Sequence, residues 1–560
     1  MGNKILIIGG VAGGATAAAR ARRISEDADI TLVERGPYVS FANCGLPYFI
    51  SGDIAKRSKL LLQTPEGFDS RYGIKVLINS EAVEIDRSAK RVRVKSPSGE
   101  TWLDYDKLIL AQGGNPVVPP IPGVDSPNVF KLWTVPDMDR ISAYIENEKP
   151  KSAVVVGGGF IGLEMAEAFR ARGLSTSVVE LLPRVMSVMD PEFGAMIAAK
   201  LEEQGVRVLT GVGLKAVHAA AGSGKNEIEL VDGSRVNADI VLLSIGVRPE
   251  LILAKSAGLV IGNSGGLAVD EYLQTSDPNI YAAGDMVEIF NKVSGRKVRV
   301  PLAGPANRQG RIAASNALGM KMKYSGALGT SVFKAFDATA ASTGLTEKTA
   351  RDAGYEVGAA ILYKDHHASY YPGAKEFVLK IVYDKKTSRL LGAQAFGAEG
   401  VEKRIDVLAT ALHGEMTLED IAELDLAYAP PYSSANDPVN LAAFIGQNDI
   451  SGYSPLETAA QLKVAIAEGV KTQTPAFILD VRNRGEYEAG HIRGAINLPV
   501  DDLRFELESL PRDARIHIHC RSGFRAHLAL RILKQKGFSD IVNVTGGFLA
   551  IQAEGGFDVE

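Results

Sequence analysis

Two segments of this 560-residue chain repeat one pattern, and that pattern constrains the fold more than any other feature of the sequence. Each has an apolar strand, a glycine-rich turn, a helical stretch and a second apolar strand ending in a glutamate; they cover residues 4–34 and 152–180. About 30 residues is the length of one βαβ unit. The repetition predicts an α/β protein with tandem Rossmann-like domains and two dinucleotide sites.

The second segment carries Gly157, Gly159 and Gly162 in the spacing G-x-G-x-x-G. These glycines permit a tight turn, close approach of a pyrophosphate and close helix–strand packing, with the phosphates at the helix N-terminus. Glu180 ends the next strand, where a carboxylate accepts from both ribose hydroxyls and repels a 2′-phosphate. We therefore expect NADH rather than NADPH, although NADPH stays open because Arg184 is close in sequence.

The first segment places four glycines in its turn, Gly9, Gly10, Gly13 and Gly14, but Val11 holds the middle position of the strict motif. Gly10 and Gly13 still allow a close backbone approach. Glu34, at the end of the following strand, again suits a ribose. The turn predicts a second nucleotide cofactor, with a purely structural turn as the alternative.

Composition excludes several classes of protein. The only cysteines are Cys44 and Cys520, which rules out a disulfide framework and a cysteine-rich zinc or iron–sulfur site; no metal is expected. The net charge of −4 gives no basis for binding nucleic acid or anionic lipid. No apolar run is long enough to span a bilayer, and the first residues lack a signal-peptide layout. We expect a cytoplasmic protein.

Further segments support a flavin. Residues 275–285 read TSDPNIYAAGD, and residues 111–116 read AQGGNP. Both resemble the flavoprotein disulfide reductase family, which binds FAD and a nicotinamide in tandem Rossmann domains. The resemblance implies that Asp285 holds the flavin ribityl chain. It assigns to FAD the residues Gly9, Gly10, Gly13, Gly14, Glu34, Gly113, Gly284, Asp285 and Ala303; Gln112 stands where the family usually has threonine.

Cys44 lies in the sequence SFANCGLPY, with no second cysteine four or five residues away. It must therefore act alone, as a sulfenic acid or as a mixed disulfide with a small thiol. The motif resembles the single-cysteine branch of the family, which contains coenzyme A disulfide reductases, NADH peroxidases and NADH oxidases. The peroxidases and oxidases carry a histidine in the flavin loop where this chain has Ala12, which argues against peroxide chemistry.

The same resemblance implies how coenzyme A and a second subunit take part. Arginines suit the coenzyme A phosphates through charge-assisted hydrogen bonds, although a charge run can also be a solvated face. The residues assigned to coenzyme A are Thr16, Arg20, Arg23, Ser40, Asn43, Arg71 and Asn307, with the flavin as the alternative partner of Asn307. Residues 326–447 resemble the family's dimerisation domain, where tyrosines of the partner chain reach the cysteine. Tyr428 matches, with Tyr370 or Tyr371 as the second; aromatic packing at a homodimer interface is the alternative.

The end of the chain predicts a second thiol site. Cys520 begins a loop before a helix, and the loop's N–H groups and arginines can stabilise a thiolate or persulfide. The loop continues with Arg521, Ser522, Gly523, Phe524 and Arg525, one residue shorter than the C-x5-R loop of phosphatases. With DVRNRGEYEAGHIRGAINLP (residues 480–499), it resembles a rhodanese domain, a sulfurtransferase.

These resemblances divide the chain into domains. The expected boundaries are 1–120 with 246–325 for FAD, 121–245 for NAD(P)H, 326–447 for dimerisation, 448–470 as a linker and 471–560 for the rhodanese domain. The dimerisation domain is expected to be α+β, with strands at 376–382 and 390–397 and a helix at 401–413.

The whole pattern resembles coenzyme A disulfide reductases fused to rhodanese, a group that includes persulfide and polysulfide reductases. The expected activity is reduction of persulfide, polysulfide or coenzyme A disulfide by NAD(P)H through FAD and Cys44, with Cys520 supplying sulfane sulfur. An NADH peroxidase or oxidase, and a redox sensor or sulfur carrier, remain as alternatives.

Overall fold

The computed structural model describes residues 3–219 and 226–560. By their contacts the residues form two compact units, one of Met1–Val185 and Glu202–Gly329, the other of Met186–Leu201 and Thr330–Glu560. Among the described residues, no helix is both long and apolar enough to cross a membrane. The elements are numbered below in chain order.

The first stretch of the first unit begins the sheet that carries the first glycine turn. Its helices are α1 (Ala12–Ile24), α2 (Leu46–Ser51) and α3 (Pro65–Tyr72), with 3-10 turns at Asn43–Gly45 and Arg57–Leu60. Its strands are β1 (Lys4–Ile8), β2 (Asp29–Val33), β3 (Lys75–Leu77), β4 (Glu81–Asp86), β5 (Arg91–Ser96), β6 (Gly99–Asp104), β7 (Lys107–Leu110) and β8 (Gly114–Pro116).

The middle of the chain forms the second parallel sheet. Its helices are α4 (Val135–Glu148), α5 (Phe160–Ala171) and α6 (Pro191–Glu203). The strands in this part of the chain are β9 (Val129–Phe130), β10 (Ser152–Val156), β11 (Ser175–Glu180), β12 (Val206–Thr210), β13 (Leu214–Ala219), β14 (Asn226–Leu230), β15 (Arg235–Ala238), β16 (Ile240–Leu243) and β17 (Val247–Pro249).

The chain then returns to the first sheet. This stretch has α7 (Ile252–Ser256), β18 (Leu267–Ala268), β19 (Ile280–Ala282), β20 (Val287–Phe290), β21 (Lys297–Val298) and α8 (Ala303–Ala317). The first sheet has the order β19-β7-β1-β2-β3 and the second β12-β11-β10-β16-β9, with every pair parallel. Both sheets have buried apolar strands, as expected where helices cover both faces.

The second unit opens with an antiparallel sheet in the order β22-β23-β26-β25-β24. Its strands are β22 (Ser331–Ala335), β23 (Ala338–Gly344), β24 (Val357–Asp365), β25 (Glu376–Asp384) and β26 (Leu390–Gly397). Its helices are α9 (Glu347–Asp352), α10 (Val401–His413), α11 (Leu418–Ala422) and α12 (Pro438–Ile450). Residues 186–201, which we expected to belong to the NAD(P)H domain, group with this unit by their contacts.

The second unit ends in a parallel sheet of order β27-β31-β30-β28-β29. Its elements are β27 (Leu456–Glu457), α13 (Ala459–Thr472), β28 (Phe477–Asp480), α14 (Arg484–Glu488), β29 (Ile496–Asn497), a 3-10 turn at Leu507–Ser509, β30 (Ile516–His519), α15 (Phe524–Gln535), β31 (Ile541–Val544) and α16 (Gly547–Glu554). Because β27 pairs with β31, this sheet begins before residue 471, inside the segment expected to be a linker.

Candidate functional site

The first glycine turn connects β1 to α1 and is held by close backbone contacts. Gly9 has φ +99°, and a Cβ there would lie 2.3 Å from the carbonyl oxygen of Ala111. A Cβ at Gly14 would lie 1.7 Å from the carbonyl oxygen of Gly9. A Cβ at Gly13 would contact Ala283 and Ala306, so this turn, the end of β19 and the start of α8 meet at one place.

Glu34 closes this turn from the end of β2. Its carboxylate accepts hydrogen bonds from the backbone N–H groups of Gly10 and Gly36, both at 2.7 Å. Burial raises the pKa of Glu34 despite these bonds. A pocket of about 250 Å³ opens beside it, lined in part by Arg35, Gln112 and Glu250. The buried Oε1 of Gln112 accepts no hydrogen bond from the described residues.

The residues around this pocket fit FAD. A buried carboxylate and an unsatisfied amide oxygen offer acceptors for ribose or adenine donors, and the glycine turn leaves no room for side chains. Further along, Gly284 donates its N–H to Gln309, and burial raises the pKa of Asp285 to about 6. Gly113 has φ +66° with no atom within 4 Å of a Cβ, as a turn facing a ligand requires.

The second glycine turn repeats the first between β10 and α5. A Cβ at Gly157 would lie 2.4 Å from the carbonyl oxygen of Ser244, and one at Gly162 would lie 1.9 Å from that of Gly157. Gly159, the N-cap of α5, has no atom within 4 Å of its Cβ position, which leaves space for a phosphate. Glu180 accepts from the N–H groups of Gly158 (2.6 Å) and Leu182 (2.8 Å).

Cys44 lies in the 3-10 turn before α2 and is exposed. Partial desolvation, then the carboxylates of Glu164 and Asp285, raise the pKa of its thiol. Glu164 is on α5, where burial raises its pKa to about 7, and it accepts a hydrogen bond from the Tyr48 hydroxyl at 3.2 Å. The thiol, the carboxyl group and the phenol therefore form one connected site. The roles of Glu164 and Tyr48 in it were not predicted from the sequence.

The residues assigned to coenzyme A lie on several elements, and the structure joins some of them. Thr16 on α1 donates to Asn307 on α8 at 2.8 Å, and Arg20 donates to Ser315 at 3.0 Å. Partial burial and the charges of Arg311 and Arg23 lower the pKa of Arg20. Arg311 was missed, although it follows Asn307 by one helical turn.

The other three assigned residues are placed separately. Ser40 has φ +48°, and its N–H donates to the carbonyl of Gly10, so it borders the first glycine turn. Asn43 donates to the Trp133 carbonyl at 3.3 Å. Arg71 lies exposed on α3, and no contact among the described residues joins it to the arginines of α1.

In the second unit, the tyrosine hydroxyls of Tyr370 and Tyr428 lie 3.2 Å apart. The two side chains are 74% and 48% exposed, so an aromatic pair is open at the surface. Tyr371 instead packs its ring edge-on against His367. The structure therefore joins Tyr370, rather than Tyr371, to Tyr428.

Cys520 follows β30 and is 1% exposed. The N–H of Gly523, which caps α15, donates to its sulfur at 3.1 Å, and Phe548 donates to its carbonyl at 2.7 Å. Arg525 interacts electrostatically with the sulfur and also forms a two-point ion pair with Glu486 at 2.6 and 2.8 Å. Arg521 forms a second two-point ion pair, with Glu376 on β25. Ser522 and Phe524 complete the loop.

Comparison with known proteins places the chain in a family. The profile of pyridine nucleotide-disulphide oxidoreductases matches residues 3–310, their dimerisation domain residues 330–438, and the rhodanese-like domain residues 458–554. The chain belongs to the pyridine nucleotide-disulphide oxidoreductase family. The resemblance found in the sequence and the expected α/β class, with its dimerisation and rhodanese-like domains, are thereby confirmed. Membership in this family implies FAD and a pyridine nucleotide as cofactors.

Three relatives cover most or all of the chain. The NAD(P)H sulfur oxidoreductase (CoA-dependent) of Pyrococcus abyssi is 40% identical over 442 residues, 78% of this chain and 97% of that protein. The crystal structure of Bacillus anthracis CoADR-RHD superimposes with a TM-score of 0.94 at 41% identity, covering 99% of this chain and 98% of that one. An NAD-dependent persulfide reductase from A. fulgidus gives 0.90 at 38% identity, with 97% and 99% covered.

Proposed function

We propose that this enzyme uses NADH to reduce sulfane sulfur at Cys44, with coenzyme A persulfide as the main substrate and polysulfide and coenzyme A disulfide as related ones. One observation carries the proposal: the chain has only two cysteines, one exposed beside a flavin-type turn and the other buried in a rhodanese-like loop. A dithiol reductase needs a second cysteine beside Cys44, which this chain lacks.

Cys44 is the nucleophile of the proposed reaction. Its thiolate attacks the inner sulfur of a persulfide, the sulfur–sulfur bond breaks, and hydrosulfide leaves while a mixed disulfide forms with coenzyme A. With coenzyme A disulfide the same attack releases a coenzyme A thiolate. FAD, when bound, would supply the two electrons for reduction of the mixed disulfide, which it would receive as hydride from NADH.

Proton transfer at this cysteine is assigned to Glu164. With a pKa of about 7, its carboxyl group holds or releases a proton near neutral pH, which is the range in which a general acid–base group is effective. The Tyr48 hydroxyl, hydrogen-bonded to Glu164, extends this proton path at the same site.

Coenzyme A is assigned to the cationic face formed by α1 and α8. Thr16 and Asn307 are hydrogen-bonded to each other there, and the arginines Arg20, Arg23 and Arg311 offer donors for phosphates. Ser40, Asn43 and Arg71 are assigned to the same ligand. In the homodimer that the dimerisation domain suggests, the hydroxyls of Tyr370 and Tyr428 would reach the substrate sulfur held by a second copy.

The rhodanese-like domain is assigned the supply of sulfur. Cys520 takes a sulfane sulfur from a donor and transfers it to coenzyme A or to Cys44.

Glu180 favours NADH over NADPH, because it already uses both carboxylate oxygens to hold the turn where a 2′-phosphate would have to lie.

Anaerobic NADH oxidation by the FAD-loaded enzyme tests this proposal. We expect fast turnover with coenzyme A persulfide and release of sulfide, and Cys44→Ser should lower it by roughly a thousandfold or more. Cys520→Ser is the matched control, and it should lose only the activity that depends on thiosulfate or polysulfide.

Three results would contradict the proposal. Turnover that survives Cys44→Ser would mean that this cysteine does no chemistry. Hydrogen peroxide turning over faster than persulfide would support the peroxidase alternative, which Ala12 in the flavin loop argues against. Very slow turnover with a stable Cys44 mixed disulfide would support a sensor instead.

A further inference from the structure

Both arginines of the Cys520 loop are paired with a glutamate. Arg525 is held by Glu486, whose own position is fixed because it closes the N-terminal capping box of α14 with Asn483. Arg521 is held by Glu376, the first residue of β25, through two hydrogen bonds of 2.8 and 2.9 Å. The two carboxylates therefore offset the positive charges of the two loop arginines.

The two arginines differ in what they do for the sulfur. Arg525 interacts electrostatically with the Cys520 sulfur as well as with Glu486. Arg521 instead interacts with Glu376, Glu486 and Tyr363, all anionic or phenolic groups. Arg521 is thus engaged by a residue that lies outside the rhodanese-like domain, in the sheet of the dimerisation domain of the same compact unit.

Other contacts hold the rhodanese-like domain against that sheet. The buried hydroxyl of Thr545 accepts from the N–H of Ile361 on β24 at 2.8 Å. A Cβ at Gly546 would lie 2.8 Å from the Ile361 side chain, so the packing there is close. The Arg521–Glu376 pair is more exposed, at 48% and 39% of the two side chains. Removing the Glu376 charge should therefore release Arg521 without separating the two domains.

We propose that Glu376 sets the sulfur-donor specificity of the Cys520 site: by engaging Arg521 it favours thiol persulfides over dianionic donors such as thiosulfate. A dianion such as thiosulfate meets more repulsion from a thiolate than a persulfide group, which carries at most one negative charge at the reacting sulfurs, since Coulomb energy scales with the product of the charges. Two free arginines would offset that repulsion, but here both are paired. The burial of Cys520 also favours persulfides, because a persulfide carries its terminal sulfur at the end of a thin chain that can reach a buried thiol.

The transfer itself balances for both donors. The Cys520 thiolate attacks the outer sulfur of a persulfide R–S–SH, the sulfur–sulfur bond breaks, and R–S⁻ leaves with the electron pair, so Cys520 becomes a persulfide. With thiosulfate the leaving group is sulfite, which carries both negative charges away. In each case the sulfur is transferred without net oxidation or reduction, so no NADH is needed.

The inference rests on the sulfurtransferase role proposed for Cys520, and the test separates the two. Full-length FAD-loaded enzyme is given thiosulfate or glutathione persulfide with cyanide as acceptor and no NADH, and thiocyanate is measured after subtracting the rate of Cys520→Ser. If Cys520→Ser forms thiocyanate as fast as the wild type, the sulfurtransferase role itself fails, whatever Glu376 does.

We expect the wild type to prefer the persulfide, and Glu376→Gln to raise kcat/KM for thiosulfate about three- to tenfold, through KM, with little change for the persulfide. Glu356→Gln, at the other end of the β24–β25 ladder, is the control for loss of one negative charge and should change neither donor. In Glu376→Gln/Arg521→Gln the gain should disappear, because no arginine is left to release. Equal changes for both donors, no change, or a gain that persists in the double variant would each overturn the proposal.

Discussion

At the scale of single residues, the surroundings of Cys44 decide when its thiol becomes a nucleophile. Glu164, with a pKa of about 7, is largely ionised at pH 8, and its charge helps to raise the pKa of Cys44. Glu164→Gln removes that charge, so we expect the Cys44 pKa to fall. The measurement is the pH dependence of iodoacetamide alkylation of the reduced enzyme. Glu66→Gln, an exposed carboxylate that does not perturb Cys44, should leave the midpoint unchanged, and an unshifted midpoint in Glu164→Gln would contradict the expectation.

Some residues of the candidate sites could be predicted from the sequence and others could not. Glu34 and Glu180 could be predicted, because a strand end and a glycine turn fix their positions within one βαβ unit. Glu164 could not, because its importance comes from α2 and α5 packing together, which brings Tyr48 and Cys44 from a distant part of the sequence.

At the scale of elements, regular strands were predicted well and irregular ones were not. The strand 390–397 and the helix 401–413 match the structure, because each shows a clear hydrophobic pattern over a full element. The two-residue strand β27 shows no such pattern and depends on pairing with β31, nearly 90 residues later in sequence. The linker was therefore expected to extend to residue 470.

The contact between α1 and α8 yields a prediction at this scale. A Cβ at the buried Gly310 would lie 2.1 Å from the carbonyl oxygen of Gly13, so Gly310→Val must push the two helices apart. We expect a loss of about 1–3 kcal/mol in stability and reduced FAD content, because the first glycine turn moves with α1. Flavin absorbance per chain and thermal unfolding measure both. Gly304→Ala is the control on the same helix, since its Cβ would meet only the Arg308 guanidinium at 3.7 Å. Equal flavin content in both variants would contradict the argument.

At the scale of the whole molecule, the compact units do not follow the order of the chain. Residues 186–201 separate β11 from β12 of the second parallel sheet, yet they pack with residues 330–560. Lys380 on β25, 1% exposed, explains why. Its ammonium group contacts Asp190 at 2.8 Å, Glu347 at 2.6 Å, and also Glu192. These three carboxylates are close enough together to hold a metal ion, but the lysine ammonium already supplies the cation.

Removing this ammonium should destabilise the second unit. Lys380→Met leaves buried carboxylates without a counter-charge, which typically costs about 3–5 kcal/mol. Burial already raises the pKa of Glu192, and losing the lysine raises it further. The folded state then binds more protons than the unfolded state, so the deficit should shrink as the pH falls from 8 towards 5.5. Thermal unfolding at both pH values measures this. Lys375→Met, which breaks only the exposed pair with Glu399, should have little effect at either pH. A Lys380→Met deficit that does not change with pH would show that lost packing, and not uncompensated charge, causes the destabilisation.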